Sequence, residues 1–268
     1  MNDHELARKL ARETGTLLIG LRNHAASLSG GEDETHSVLA EEVLGSEGDR
    51  VAHDYLMDQF ASHRPDDVVL SEEGDLEVAR LNAKRVWIID PLDGTAQYSS
   101  GGEDFAVHIA LWEADSQAAS NISVASVAVP ARNELWSMDE QAVTHELDGS
   151  PIRILVSRSR PPREIPAVIK KLEEAFPERG RVETIPMGSV GAKVGAILSG
   201  TADVYFNSGG FYEWDLAAPL GIAVHNGLSV TDCKGNQIEL NKVDLKVKDI
   251  LICRPELTKT IVMALETK

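Results

Sequence analysis

The chain has 268 residues, is 43% hydrophobic and 26% charged, and carries 43 acidic against 26 basic residues for a formal net charge of −17. That length supports one large domain or two small ones around a substantial core. The acidic balance argues against a nucleic-acid groove or an anionic membrane surface, which need basic stripes, and no apolar run approaches the ~20 residues of a membrane span.

A small anionic substrate suits such a chain only where divalent cations reverse the local sign. The charged N-terminus has no signal-peptide core. Two cysteines, Cys233 and Cys253, lie in strand-like runs. So sparse a count reads as reduced, buried thiols of a cytosolic protein.

Residues 3–26 have the spacing of an amphipathic helix, with Leu6, Leu10, Leu17, Leu18 and Leu21 on one face. Gly30-Gly31 closes it, and the acidic stretch 30–45 reads as a mobile loop. A second helix is predicted from Ser46, carrying Val51, Tyr55, Leu56 and Phe60 inward. Ser46-x-x-Asp49 has the spacing of a capping box, where a carboxylate also suits the helix dipole. Val68–Leu70 reads as a strand, followed by the acidic turn Ser71-Glu72-Glu73-Gly74, and residues 75–82 as a short helix.

Residues 86–89 form a short apolar strand that delivers Asp90 where the strand runs out. Pro91 cannot donate to a ladder and predicts a turn there. Asp93, Gly94 and the hydroxyl of Thr95 follow, and the carbonyl of Leu92 is free to face outward. Two carboxylates, a carbonyl and a hydroxyl are hard oxygen donors of the kind Mg²⁺ takes. The same Asp-Gly pair is equally a common turn dipeptide.

Strands are predicted at 105–112, 122–129 and 134–138. The turn-rich Asp148-Gly149-Ser150-Pro151 marks a boundary, giving an N-terminal half over 1–148 and a C-terminal half over 149–268. The first half runs helices and then strands, an α+β order with an antiparallel or mixed sheet. The second alternates strand and helix: strands at 152–156, 181–185, 202–206, 228–231 and 250–252, helices at 164–176, 189–198, 215–225 and 256–265. That is α/β logic, a sheet sandwiched by helices. Asp215 reads as the N-cap of its helix, a position that holds a carboxylate ionised and rigid. Gly188-Ser189 opens another helix, whose free N–H groups can hold an anion.

The pieces Ser71-Glu72-Glu73, Asp90-Pro91-Leu92-Asp93-Gly94-Thr95 and Glu213-Trp214-Asp215-Leu216-Ala217-Ala218 resemble, in order and spacing, the motifs of the inositol monophosphatase superfamily. Gly188-Ser189 through Ala202-Asp203-Val204-Tyr205 resembles a further family segment, and the resemblance covers nearly the whole chain. Ile88–Thr95, Val107-His108-Ile109-Ala110-Leu111-Trp112 and Arg160-Pro161-Pro162 are most similar to the CysQ-type, actinobacterial branch of 3′-phosphoadenosine-5′-phosphate phosphatases. The resemblance implies an α/β protein with the layered αβαβα sugar-phosphatase fold. It also implies a cytosolic, often dimeric, lithium-sensitive Mg²⁺-dependent phosphatase acting on a small phosphorylated substrate.

The resemblance further implies residue roles. Glu72, Asp90 and the Leu92 carbonyl hold one Mg²⁺. Asp90, Asp93 and Asp215 hold a second, and Glu72 with waters holds a weaker third. Asp49 hydrogen-bonds Thr95, and Thr95 with Glu72 orients and deprotonates the attacking water. Backbone N–H groups of Gly94 and Thr95 hold the phosphate beside Asp93. On the substrate side, Lys193 on the Ser189 helix is a candidate for a second phosphate. Arg158 and Arg160 lie just past a strand end, where ligands bind in α/β folds, and Glu213 is a candidate partner of a ribose or polyol hydroxyl. Surface ion pairing is the competing role for each cation.

Two departures touch substrate preference. Ala96-Gln97-Tyr98 follows Asp-Gly-Thr where the family has a polar pair and Phe, and the family's Lys-x-Asp and Val-Thr elements before Asp49 are absent. The rival expectations are inositol 1-phosphate or fructose 1,6-bisphosphate hydrolysis on the same metals, and a non-catalytic binding protein that keeps the fold.

Overall fold

The computed structural model describes residues 1–28, 34–74, 78–141, 151–158 and 160–266, with backbone alone for residues 28 and 34–40. Helices α1 (Asp3–Leu28) and α2 (Glu34–His63) lead into β1 (Val68–Ser71), a 3₁₀ turn (Val78–Asn82) and β2 (Arg85–Asp93). A short α3 (Thr95–Ser99), β3 (Ala106–Glu113), β4 (Ile122–Val129) and β5 (Glu134–Ser137) follow. The later chain carries β6 (Arg153–Ser157), α4 (Ile165–Ala175), β7 (Glu183–Met187), α5 (Val190–Leu198), β8 (Val204–Asn207) and β9 (Phe211–Tyr212). It ends with α6 (Glu213–His225), β10 (Ser229–Thr231), β11 (Lys246–Val247), β12 (Ile250–Cys253) and α7 (Pro255–Glu266).

Strands β1 to β5 form one mixed sheet in sequential order, with β1 parallel to β2 and the rest antiparallel. The second sheet has the order β10-β12-β8-β6-β7, parallel around β6 and antiparallel at β12 and β10. Helices α1 and α2 cover the outer face of the first sheet through Leu6, Leu10, Leu56 and Phe60 packed on Trp87, Ile89 and Ile109. Helices α5 and α6 fill the space between the sheets, where Ile197 and Leu216 meet Ile88, Ala110, Tyr205 and Ile252. Helices α4 and α7 close the far side through Val168, Leu172, Leu257 and Ile261. The result is the expected αβαβα layering. The boundary expected at 148/149 falls outside the described residues, and both halves share the middle helical layer.

Three local expectations are corrected. The stretch expected as a mobile loop over 30–45 is helical from Glu34 onward, while its first residues lie outside the described set. Asp49 is therefore well inside α2 and is not a first-turn cap. Ser46, which reads as the helix start, lies inside α2, and the glycines around it, Gly45 and Gly48, serve close approach. A Cβ on Gly45 would come within 2.9 Å of Thr95 Cγ2, and one on Gly48 within 2.7 Å of Tyr98 Cε1. Cys233 follows β10 in a turn and is only half-buried, whereas Cys253 is buried in β12 as expected.

Opposite outcomes are expected for two helical glycines. Gly48→Ala overpacks the α2–α3 contact and should destabilise by ~1–3 kcal/mol, more than the ~1 kcal/mol alanine gains in a helix. Gly20→Ala is exposed in α1 with nothing within 4 Å of the added Cβ, and should stabilise by up to ~1 kcal/mol. Urea denaturation of both variants checks the signs.

Candidate metal centre and active site

Strand β2 does not stop at Pro91 as expected but continues to Asp93. Asp90 pairs with His108 and Asp93 with Ala106, so Pro91 and Leu92 stand opposite Val107 alone. This is a β-bulge, and it places the proline where no ladder donor is needed. In a regular strand, residues three apart face opposite sides. The extra residue reverses that parity and puts both carboxylates on the face of His108 and Ala106. Asp215 reaches the same place from α6. Helix α6 begins two residues earlier than expected, so Asp215 is not the N-cap; its Oδ2 accepts the N–H of Tyr212 at 2.7 Å from inside the first turn.

Ligand oxygens of Asp90, Asp93 and Asp215 all lie within 4.8 Å of one another. Asp90 is buried; its Oδ1 accepts the Leu92 N–H at 3.0 Å, and its Oδ2 is buried without a hydrogen-bond donor. An anionic oxygen left bare in the interior is costly unless a cation meets it. The donor set, all carboxylate oxygen, fits a hard divalent cation. Glu72, in the turn after β1, is exposed as a residue, but Asp90 and Asp93 both act on its carboxyl group.

Repulsion and burial show in the protonation equilibria. Burial, then the charges of Asp93 and Glu72, raise Asp90 well above the usual carboxylate range. Burial and Asp93 push Asp215 up to about 7. Glu72 is raised by desolvation and by Glu73 and Asp93. Asp49, held in α2 by the Gly45 and Gly48 contacts, is raised to about 7 by desolvation and by Glu73 and Glu72. The Thr95 hydroxyl lies 3.3 Å from Asp49 Oδ1 and 3.3 Å from the Leu92 carbonyl, which links the helix-borne acid to the bulge. Gly94 takes a left-handed φ of 95° and a Cβ there would meet the Asp104 carbonyl at 2.9 Å, so the turn into α3 requires glycine.

The substrate-side expectations fare differently. The N-terminus of α5 does seat an anion, but the anion is Asp93. Its Oδ2 accepts Ser189 Oγ at 2.6 Å, Val190 N at 2.6 Å and Gly191 N at 3.3 Å. Gly188 N is given to Asp104 Oδ2 at 3.1 Å. Lys193 is buried, and its Nζ donates to the Gly188 and Ser189 carbonyls at 3.1 and 3.0 Å and lies 4.7 Å from the Tyr205 ring centroid. Burial lowers its pKa to about 8 against the pull of Asp93 and Asp104. It braces the loop that opens α5 and is among the residues that line the cavity. Glu213 is buried and its oxygens accept Asn241 N and Lys242 N at 2.7 and 2.8 Å, so it anchors that segment. Arg158 is paired with Asp104, and Arg160 is exposed at the rim.

A cavity of about 200 Å³ joins these groups, lined by Asp93, Gly94 and Asp215 together with Arg158, Arg160 and Asn207. Two neighbours escaped the sequence reading. His108 is fully buried, with Nε2 3.3 Å from Asp93 Oδ2 and Nδ1 3.4 Å from the Trp214 carbonyl; burial lowers its pKa. Its place opposite Asp90 in the ladder is the signal that could have found it. Asp104 sits in a polar loop that carried no signal.

Fold and site define a layered αβαβα protein whose two sheets converge on a carboxylate cluster suited to a divalent cation. The chain belongs to the inositol monophosphatase family, whose model matches residues 3–268, a family of metal-dependent phosphatases. It is 39% identical over 227 residues to the 3′-phosphoadenosine 5′-phosphate phosphatase of Mycobacterium bovis, covering 83% of this chain and 82% of that protein. It is 36% identical over 265 residues to the Mycobacterium leprae protein of the same name, covering 96% and 91%. CysQ from Bacteroides thetaiotaomicron, a bacterial member of the family, superposes with a TM-score of 0.73 at 24% identity over 94% of this chain and 97% of that one. No helix of the described residues is long and apolar enough to cross a membrane.

The carboxyl shifts fix a pH dependence. Without cation, folded Asp49 and Asp215 hold protons up to about pH 7 that the unfolded chain releases near 3.8. The native state then binds more protons between those values, so stability falls as pH rises through the window. A cation binds the deprotonated groups and reverses the trend. Thermal unfolding is expected to show a larger Mg²⁺-induced rise in Tm at pH 8 than at pH 5.5, and a lower cation-free Tm at pH 8.

Proposed function

We propose that the chain is a Mg²⁺-dependent phosphomonoesterase that removes the 3′-phosphate of 3′-phosphoadenosine 5′-phosphate, giving AMP and phosphate. The observation that carries this reading is the bare, buried Asp90 oxygen beside Asp93 and Asp215, two acids that line a cavity together with Arg158 and Arg160. The activity named for both mycobacterial relatives supports the choice of substrate.

Asp90, Asp93 and Asp215, with Glu72 and the Leu92 carbonyl, would hold two or three Mg²⁺. Bound there, Mg²⁺ supplies charge neutralisation, polarises phosphoryl oxygen and acidifies water. The remaining work belongs to the chain. Thr95 accepts and orients the attacking water through its hydroxyl, and Asp49 behind it takes the proton, with Glu72 beside them. A carboxyl group lifted to about 7 is matched to that task near neutral pH. The leading N–H groups of α3, at Gly94 and Thr95, lack intrahelical partners and face the place where a phosphate would sit. Asp93 is clamped by α5 through Oδ2, which leaves its other oxygen free of those bonds. The reading is that of a cytosolic enzyme, consistent with the free thiols Cys233 and Cys253. A homodimer is part of it, to be checked by sedimentation.

Purified protein should release phosphate only with Mg²⁺ and be inhibited by millimolar Li⁺. Its kcat/KM should be higher for 3′-phosphoadenosine 5′-phosphate than for inositol 1-phosphate or fructose 1,6-bisphosphate. Thr95→Ala should lower kcat by ~10²–10⁴-fold, the usual worth of a positioned proton acceptor, and Asp93→Asn should abolish Mg²⁺-dependent turnover. Absence of turnover with any monoester would sink the reading.

A further inference from the structure

We infer that His53, through its hydrogen bond to Ser71, is a positioning residue that holds the Glu72 turn beside Asp49 and Thr95. The inference rests on the phosphatase reading of the same site.

Strand β1 is the edge of the first sheet, four residues long and paired with β2 alone. Ser71 ends it, opposite Ile89 in the register and one position short of Asp90. The turn that follows closes through the Gly74 N–H, which donates to the Ser71 carbonyl at 3.2 Å, with Glu72 and Glu73 as its central pair. Nearby charges push this turn outward: Glu73 and Asp93 repel Glu72, and Glu73 and Glu72 in turn repel Asp49. The hydrogen bond between the Glu72 and Asp90 carboxyl groups needs a shared proton, so it does not hold the turn once both acids are ionised. A short edge strand has no second strand to resist the repulsion.

His53 supplies the missing hold. Its Nδ1 lies 2.9 Å from the hydroxyl of Ser71, a buried residue. Alanine would fill the last place of β1 equally well; a buried hydroxyl costs free energy unless it is bonded, and His53 is its partner. A Cβ on Gly74 would stand 3.5 Å from His53 Cε1, so the ring also flanks the far end of the turn. His53 comes four residues after Asp49 in α2, on the same helix face. Asp49 reaches the Thr95 hydroxyl at 3.3 Å. One face of α2 therefore grips the start of α3 through Asp49 and the end of β1 through His53, with the two grips about 6 Å apart along the helix axis. Gly45 and Gly48 seat the same helix against α3. Thr95 and Glu72 are the two groups assigned to the attacking water, and the pitch of a helix, not an edge strand, sets their separation.

Calorimetric titration of the full chain with Mg²⁺ alone tests this without turnover. His53→Phe keeps a ring and removes the bond, and should weaken Mg²⁺ binding roughly three- to tenfold, the worth of one hydrogen bond. Ser71→Ala should do the same from the other side, and the double variant should bind no more weakly than either single one. His53→Asn, with an amide atom where Nδ1 stands, should stay within about twofold of the parent. In a Glu72→Gln background, His53→Phe should change the affinity by less than about twofold, because His53 acts through that carboxylate. In turnover, His53→Phe should move the Mg²⁺ activation midpoint upward by the same factor as the binding constant, and saturating Mg²⁺ should restore most of kcat. A purely structural His53 would lower Tm with Mg²⁺ affinity unchanged, or would cost as much affinity in the Glu72→Gln background as in the parent; either result overturns the inference. So does a loss in His53→Asn equal to that in His53→Phe. If His53→Phe does not fold, Ser71→Ala, alone and combined with Glu72→Gln, decides the matter. Failure of the parent to release phosphate from any monoester overturns the phosphatase reading, while the Mg²⁺ titrations still decide what holds Glu72.

Discussion

Between Asp90 and Asp93, strand β2 holds one residue more than the strand beside it, and that residue decides where the second carboxylate points. Without the bulge, Asp93 would face α1 and α2 and be buried against the apolar layer of Trp87 and Ile89. With it, both acids face the middle layer, where α6 brings a third. Proline is what makes the bulge tolerable, since Pro91 has no N–H to leave unpaired. Leu92 then folds its own N–H back to Asp90, turning a backbone irregularity into a support for the first of the clustered acids.

Gathering these acids works against folding. Unit charges ~4 Å apart repel by ~4 kcal/mol at an effective dielectric of ~20, a large part of the ~5–15 kcal/mol that holds a domain together. The chain answers with dipoles. The N-terminus of α5 donates to Asp93 three times, and the first turn of α6 gives Asp215 a backbone N–H. Protonation absorbs the rest, which is why Asp90, Asp215 and Glu72 all titrate high in the absence of cation. The site is thus rigid before a cation arrives, and only its protons need to leave.

Much of this was legible in sequence, because hydrophobic periodicity and short motifs are local. Strand–helix order implies helix-covered sheets in both halves, the five-layer stacking is what the family resemblance adds, and the acids that meet are each marked by a turn or a helix start. Where the reading failed, a tertiary contact gave a local signal another meaning. Ser46-x-x-Asp49 has the spacing of a capping box, yet it lies inside α2, where Gly45 and Gly48 let α3 approach. Glu213 sits two residues from Asp215, and its oxygens accept N–H groups of a segment nearly thirty residues on. The anion seat of α5 was read correctly as a seat; its occupant, Asp93, comes from the other half of the chain and could not be read from the helix alone.

That last contact ties the two halves together. Ser189 is held at a φ of 46°, a left-handed value that disfavours a side chain and costs about 1–3 kcal/mol. Its hydroxyl donates to Asp93 and accepts the Ala192 N–H, and Lys193 grips the carbonyls of Gly188 and Ser189 from behind. The strained residue is kept because the carboxylate it serves is held from the other side by β2. A carboxylate that belongs to the acidic cluster and caps α5 is a single rigid lever between the first sheet and the middle layer. Any shift of the bulge would have to break the cap, release Ser189 and move the wall of the cavity at once, so the position of the cluster relative to the substrate is set by the same bonds that hold the halves in register.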